Sequence, residues 1–447
     1  MLGSWPRRLR LFSRHLWVRV SIFSGLAVVA SLASIYLAPL VPDDFSDLLG
    51  TDAVDSILTI LASSMLTVTT FSLTVMVVAH SAATANTTPR ALTLLIEDST
   101  TQNALATFLG SFLFSLVGII ALSTDLYGEK GRVILFWATV LVVVYIVITF
   151  VSWIDHLSTL GRIEETIGRV EKAATRAFAD RIENQNLGGA RLLQSSEPPP
   201  GTAVPLRSEV AGYVQHIDIP GISERAGEEH LVYLTVLPGQ FVGPSEILAW
   251  FDCGVDERDV ERARQMFTIK DERSFDQDPR FGLIALSEIA SKALSPGVND
   301  PGTAVDIIGR AVRVLSLWIR GKGSTDSKVL YPNVLVPSLK MDDLFDDLFT
   351  PISRDGAANS EVQIRLIKAL GMLAALDDPD ARKAARHHVR IVVRRAEANM
   401  MISEDVQAIR SVAESAFPGI GLDEDEPPIS SELAPQSSPK RKKPSEG

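Results

Sequence analysis

A single cysteine, Cys253, among 447 residues leaves no internal disulfide and no zinc site built on cysteines. It reads as a small, inert residue. Histidine is scarce too: the seven are scattered, with His387-His388 adjacent. No His-Glu-x-x-His occurs, which removes the zinc-protease helix. Also missing are a glycine-rich phosphate loop, a Gly-x-Ser-x-Gly elbow and a convincing pair of catalytic carboxylates. The chain is therefore read as a non-enzyme, with no catalytic residue, no cofactor and no metal. A general nucleic-acid binder needs a basic face, and the net charge of −11 argues against one. The most informative absence is local: no charge lies between Asp55 and His80.

That uncharged stretch, from about Ile57 to Ala79, is long enough as a helix to cross a hydrocarbon core at about 1.5 Å per residue. It is nevertheless crowded with hydroxyls. Thr59, Ser63, Thr67, Thr70 and Thr74 fall within an arc of about 80° on a helix turning about 100° per residue. Two readings follow. Hydroxyls are common at helix–helix contacts in membranes, where they bond to backbone carbonyls and permit close approach, and packing is the first expectation. The second is the lining of a water path between copies of the chain. The lack of intramembrane charge, the usual mark of an ion pathway, counts against it.

Apolar residues make up 46% of the chain and concentrate before Trp153, which points to more than one crossing. Residues 1–19 hold Arg7, Arg8, Arg10, Arg14 and Arg19 with no acid. The apolar run that follows, Val20 to Val41, is longer than a signal-peptide core and has Pro39 where cleavage would fall, so it reads as a span. The next loop, Pro42 to Asp55, carries five aspartates and no Lys or Arg. Further spans run from Ala104 to Ser123, with a small-residue face of Ser111, Ser115 and Gly118, and from Val133 to Trp153. The positive-inside rule then predicts four crossings with both termini in the cytoplasm. Leu160, Ile163, Ile167, Val170, Ala174 and Phe178 keep a three-four spacing, which predicts one helix leaving the bilayer as an amphipathic stalk. Its stripe must pack on the chain's own soluble part or on a second copy.

A Ser- and Pro-rich linker around Gln194 to Gly201 ends the stalk. Short β-type runs follow at Val204–Ile219, Leu231–Leu237 and Ile247–Phe251, read as a small barrel-like unit. From Val255 onward the chain reads as mostly helical. Asp278-Pro279, Asp300-Pro301 and Asp378-Pro379 share one helix-start device, a capping Asp before a Pro whose missing N–H costs nothing. The expected fold class is a multi-domain α+β membrane protein: four transmembrane helices, then a small β unit and a cytoplasmic helical domain. The divisions are a basic N-terminus 1–19, membrane domain 20–153, stalk 154–185, linker 186–204, β domain 205–254, helical domain 255–418 and a disordered tail 419–447.

Several stretches resemble a family of bacterial predicted membrane proteins that carry domain of unknown function 2254. They are Thr88-Pro89-Arg90 with Asp98 and Gln102, Gly212-Tyr213-Val214-Gln215, Pro238-Gly239-Gln240-Phe241-Val242 and Asp278-Pro279-Arg280-Phe281-Gly282. The most specific is Ala293-Leu294-Ser295-Pro296-Gly297-Val298-Asn299-Asp300-Pro301. Ile154-Asp155-His156-Leu157 departs from the histidine-rich end of the last span that the family shows. The resemblance covers about residues 10–415 and implies a bacterial inner-membrane protein with a large soluble C-terminal region. It implies no activity.

Ser295, Pro296, Gly297, Asn299, Asp300 and Pro301 form the most site-like soluble stretch. A Gly able to take positive φ, together with Asn and Asp at a helix start, could hold an anion. A rigid turn capped by Asp300 is the first expectation, because an Asp at the cap opposes a second anion there. His387-His388 lies among six Arg and Lys residues on a helix, read as a solvated basic face. As partners the sequence predicts the lipid bilayer and further copies of itself, no nucleic acid, and no identifiable protein. Two function classes stand: a homo-oligomeric channel or transport-related protein, and a non-conducting scaffold or sensor whose cytoplasmic domain binds a partner.

Overall fold

The computed structural model describes residues 51–86, 88–91, 99–124, 128–159, 162–192, 203–252, 256–322 and 328–422, with a few helical positions between 18 and 29. The run Val20 to Val41 lies mostly outside the described residues. So do the basic N-terminus, most of the aspartate loop, Cys253 and the tail from 423. Among the described residues three helices are long and apolar enough to cross a membrane, where four crossings were expected. They are α1 (Thr51–Asn86), α2 (Ser99–Ser123) and α3 (Gly128–Thr159). Helix α1 runs beyond the Ile57 to Ala79 stretch, through His80 to Asn86, because Ala82, Ala83 and Ala85 sustain helix. The small-residue face of α2 packs inward: Ser111 and Ser115 are buried, and Gly118 admits Leu58 of α1 to 3.0 Å from where a Cβ would stand. Their hydroxyls bond to carbonyls one turn back, at 2.8 and 2.9 Å, so close packing leaves no orphan donor.

The predicted continuous stalk is two helices. Arg162 is extended (φ −74°, ψ 138°) ahead of α4 (Ile163–Glu183), and this breaks the ladder after Thr159. Next come β1 (Gly189–Leu192), β2 (Val204–Arg207), β3 (Gly212–Ile217), α5 (Ile219–Ala226), β4 (Val232–Leu234), β5 (Phe241–Val242) and β6 (Ile247–Phe251). They are followed by α6 (Glu257–Ala263), β7 (Phe267–Lys270), α7 (Pro279–Ala293), α8 (Pro301–Gly321) and β8 (Tyr331–Pro337). Helices α9 (Met341–Asp355), α10 (Ser360–Ala374), α11 (Pro379–Asn399) and α12 (Ser403–Ala416) complete the order.

The β part is not a closed barrel. It consists of a five-stranded sheet, β1-β8-β4-β6-β2, and a three-stranded sheet, β5-β3-β7. Strand β8 runs parallel to both β1 and β4, and the remaining pairs are antiparallel. Four strands thus come from outside the β-type runs: β1 from the stretch read as linker, β5 from between two of the runs, and β7 and β8 from the stretch read as mostly helical. Val334 and Val336 of β8 are fully buried in the β core beside Val232, Leu234 and Phe251.

A second core joins α4 to α7–α12. The apolar stripe of α4 (Ile167, Val170, Ala174 and Phe178) is buried there, so it packs on the chain's own extramembrane part. Helices α4 and α8 run in the same direction: Arg310 bonds Glu171 at 2.9 Å, Phe178 stacks near Trp318 at 5.6 Å, and Ile182 covers Gly321. Helices α7 and α9 run the other way, with Arg280 bonded to Asp343 and Asp347 and Leu294 beside Gly356. Lys322 reaches Asp378 at 2.7 Å, so α11 starts where α8 ends, and Arg395 near its finish bonds Thr350 O. One end of the bundle therefore gathers the start of α4, the α7–α8 turn and the α11–α12 turn. The β sheets attach at the other end. All three Asp-Pro starts are caps as expected, with Asp278, Asp300 and Asp378 accepting from Phe281, Thr303 and Ala381 N–H at 3.2, 3.1 and 2.7 Å.

Candidate functional site

All five hydroxyl residues of the α1 stripe (Thr59, Ser63, Thr67, Thr70 and Thr74) are exposed. At about 100° per residue they lie roughly opposite the buried face of the same helix, Val54, Leu58, Leu61, Met65 and Ser72. Ser63, Thr67, Thr70 and Thr74 donate to the carbonyls of Ile60, Ser63, Leu66 and Thr70 at 3.1, 3.0, 2.9 and 3.0 Å. With its proton committed to the helix, each of these oxygens presents acceptor lone pairs outward. Contacts between the described membrane helices use other hydroxyls. Ser72 accepts from Trp153 Nε1 at 3.0 Å in a buried contact between α1 and α3. Thr101 and His156 meet at 3.3 Å near the ends of α2 and α3. Ser72 escapes a stripe search because it lies on the opposite side of the helix. A Trp two spans on, at interfacial depth, is the signal that points to it.

The stretch from Ser295 to Pro301 is an exposed, tightly bonded turn. Ser295 O accepts from Val298 N–H at 3.0 Å and from Asn299 N–H at 2.8 Å, while Asp300 N–H donates to Ala293 O at 2.8 Å. The positive φ belongs to Asn299 (50°) and not to Gly297, so that part of the expectation is corrected. Asn tolerates this conformation better than most residues with a side chain. Hydrogen bonds from the Thr303 hydroxyl and N–H hold the Asp300 carboxyl below its usual range. A depressed acid supports the fold above about pH 4, and that support is lost as pH falls through the lower folded value. Asp300→Ala is expected to cost about 1 kcal/mol, and Asp300→Asn, which keeps an acceptor, a few tenths. Thermal melts of the purified protein at neutral pH measure both, and equal large losses would show that the carboxylate does more than cap.

Other segments of the family resemblance act as joints. Thr88 and Ala91 are buried, Ala91 within the bundle core, and Arg90 pairs with Glu288 of α7. The segment after α1 is thereby tied to the extramembrane bundle. At the far end Asp278 is 1% exposed and pairs with Arg273 at 2.7 Å. Burial pushes its carboxyl up, and Arg273 partly offsets this. Arg181, also buried, donates to Gln277 O at 3.0 Å, and burial lowers its pKa to about 10. Gln277 in turn accepts from Ile217 N–H at 3.0 Å, linking β3 to the bundle.

The basic series on α11 is only partly a solvated face. Arg382, Lys383 and Arg394 are exposed, but His388 is buried against Phe345 and Phe349, with Nε2 3.3 Å from Asp346. Arg390 is buried and donates to Ile420 O at 3.0 Å. Among the described residues no cluster of His, Cys, Asp and Glu could hold a metal ion.

Apolar helices of membrane-crossing length, tied to a folded extramembrane part, define an integral membrane protein. The profile of the predicted membrane protein family with domain of unknown function 2254 matches residues 13–372, and the chain belongs to that family. Uncharacterised proteins of Mycobacterium bovis and Mycobacterium tuberculosis are 25% identical to it over 391 residues, covering 80% of this chain and 71% of theirs. No solved structure matches.

Proposed function

We propose that the protein is a homo-oligomeric, transport-related protein of the bacterial inner membrane, non-enzymatic, with the hydroxyl face of α1 turned to a polar path between copies. One observation carries the reading: the stripe is exposed on the side of α1 directly away from its buried face, with its free lone pairs outward. A face of acceptors suits water or cations better than anions. The segment after α1 and the bundle share one side of the membrane through Arg90 and Glu288. The arginine-rich N-terminus and the Lys- and Arg-free aspartate loop make that side the cytoplasm, with both termini there.

The test is flux in liposomes from the parent and from a Thr67→Val, Thr70→Val double variant, with oligomeric mass checked in parallel. Valine keeps the shape and removes the acceptors, so a lining would dry and close. Parent flux is expected to fall by at least about tenfold in an intact variant assembly. A parent with no flux under voltage, osmotic shock or pH steps would sink the proposal in favour of a non-conducting scaffold or sensor. Unchanged flux in the variant would mean that the stripe packs or faces lipid.

A further inference from the structure

The bundle end at which the chain arrives from the membrane carries two turns with apolar tips. In the α7–α8 turn Val298 is 52% exposed; in the α11–α12 turn Met401 is fully exposed and Ile402 57% exposed. None of the three is buried in the cores of the described chain. The Val298 turn is held rigid by its bonds to Ser295 O and by the positive φ of Asn299, so its tip is presented rather than collapsed. Both turns lie at the end where α4 begins at Ile163, shortly after α3 ends at Thr159. At the same end Ala91 enters the bundle core and Arg90 pairs with Glu288.

We propose that this end of the bundle rests on the bilayer, with Val298, Met401 and Ile402 seated in the headgroup region of the same membrane that α1, α2 and α3 cross. Continuity identifies the occupant, because the membrane-crossing helices join the bundle at this end. Charge identifies the mode. Asp300, Glu404 and Asp405 flank the tips, so the contact is apolar insertion and not attraction to anionic lipid. A zwitterionic surface is sufficient. The most specific segment of the family resemblance, Ser295 to Pro301, then acts as a seating device that fixes the bundle's height and tilt over the spans.

The experiment uses the full chain in phosphatidylcholine nanodiscs at one copy per disc. On a Cys253→Ser background, a polarity-sensitive fluorophore is attached through Val298→Cys, through Met401→Cys, or through Glu228→Cys in the exposed turn after α5, in the β part. Expected are several-fold stronger quenching by headgroup-nitroxide lipid at 298 and 401 than at 228, and several-fold weaker quenching by aqueous iodide. Equal iodide quenching at all three positions, with no lipid quenching at 298 or 401, overturns the proposal. So does shielding that occurs only when discs hold two copies, which would place a second chain on these turns. Should the cysteine-free background fail to accumulate, a photo-crosslinking residue at Val298 and Met401 of the otherwise unchanged chain decides. Lipid adducts support the proposal, and adducts confined to protein overturn it.

Discussion

Asp278→Ala is expected to cost about 3–5 kcal/mol and to leave little of the extramembrane part folded at 37 °C. The carboxylate accepts from Arg273 and caps α7 through Phe281 N–H. Its charge also steadies the buried Arg181, which donates to the Gln277 carbonyl. Removing it strands two guanidinium groups, Arg273 at 15% side-chain exposure and the buried Arg181, and leaving a buried charge unpaired costs far more than an exposed pair contributes. Asp278→Asn keeps a cap acceptor and the shape, so its loss should be smaller but still well above that of Asp300→Asn. Gly239 packs directly on this carboxylate: at φ 95°, a Cβ there would fall 2.3 Å from Asp278 Oδ2. Gly239→Ala should therefore be damaging alone, yet add less than its full cost to Asp278→Ala, because both disturb one contact. Near-UV circular dichroism melts of the four proteins test this, and an Asp278→Ala melt close to the parent's would refute it.

What the sequence makes legible follows from the range of each signal. The α1 stripe, the small face of α2 and the Asp-Pro caps are each set by residues of a single helix or its first turn, and all appear where spacing places them. The break at Arg162 is less legible, because the periodicity of Ile163, Ile167 and Val170 runs up to it without a Pro to mark it. Strand β8 is hidden for another reason. Tyr331-Pro332-Asn333-Val334-Leu335-Val336-Pro337 has a proline near each end, which reads as loop, yet β8 lies inside its sheet because β1 and β4 arrive from 189–192 and 232–234 to flank it. Such long-range pairing leaves no local mark. The fate of the stripe is of the same kind: its angular register is local, but which surface it meets depends on everything packed around α1.

The two glycines most prominent in the family resemblance should behave oppositely, and the contrast separates a joint from a turn. Gly282 sits where α7 crosses α4, and a Cβ there would lie 2.4 Å from Ala174 Cβ and 2.8 Å from its Cα. The obstacle includes backbone, which cannot rotate away. Gly282→Leu must push α4 off the bundle and is expected to cost about 3 kcal/mol or more, at the upper end for overpacking. Because α4 is the segment that follows α3 out of the membrane, the damage should localise: limited proteolysis should cut between Thr159 and Ile163 much faster than in the parent, while α1, α2 and α3 stay assembled. Gly297 has nothing within 4 Å of where a Cβ would stand and does not use a positive φ. Gly297→Ala should therefore leave both the melt and the cleavage pattern unchanged, or raise stability by a few tenths of a kcal/mol through the unfolded chain. If Gly282→Leu proves as silent as Gly297→Ala, the close α4–α7 crossing is not what holds the bundle to the membrane helices, and the segment after α1, through buried Ala91 and the Arg90–Glu288 pair, carries more of that attachment.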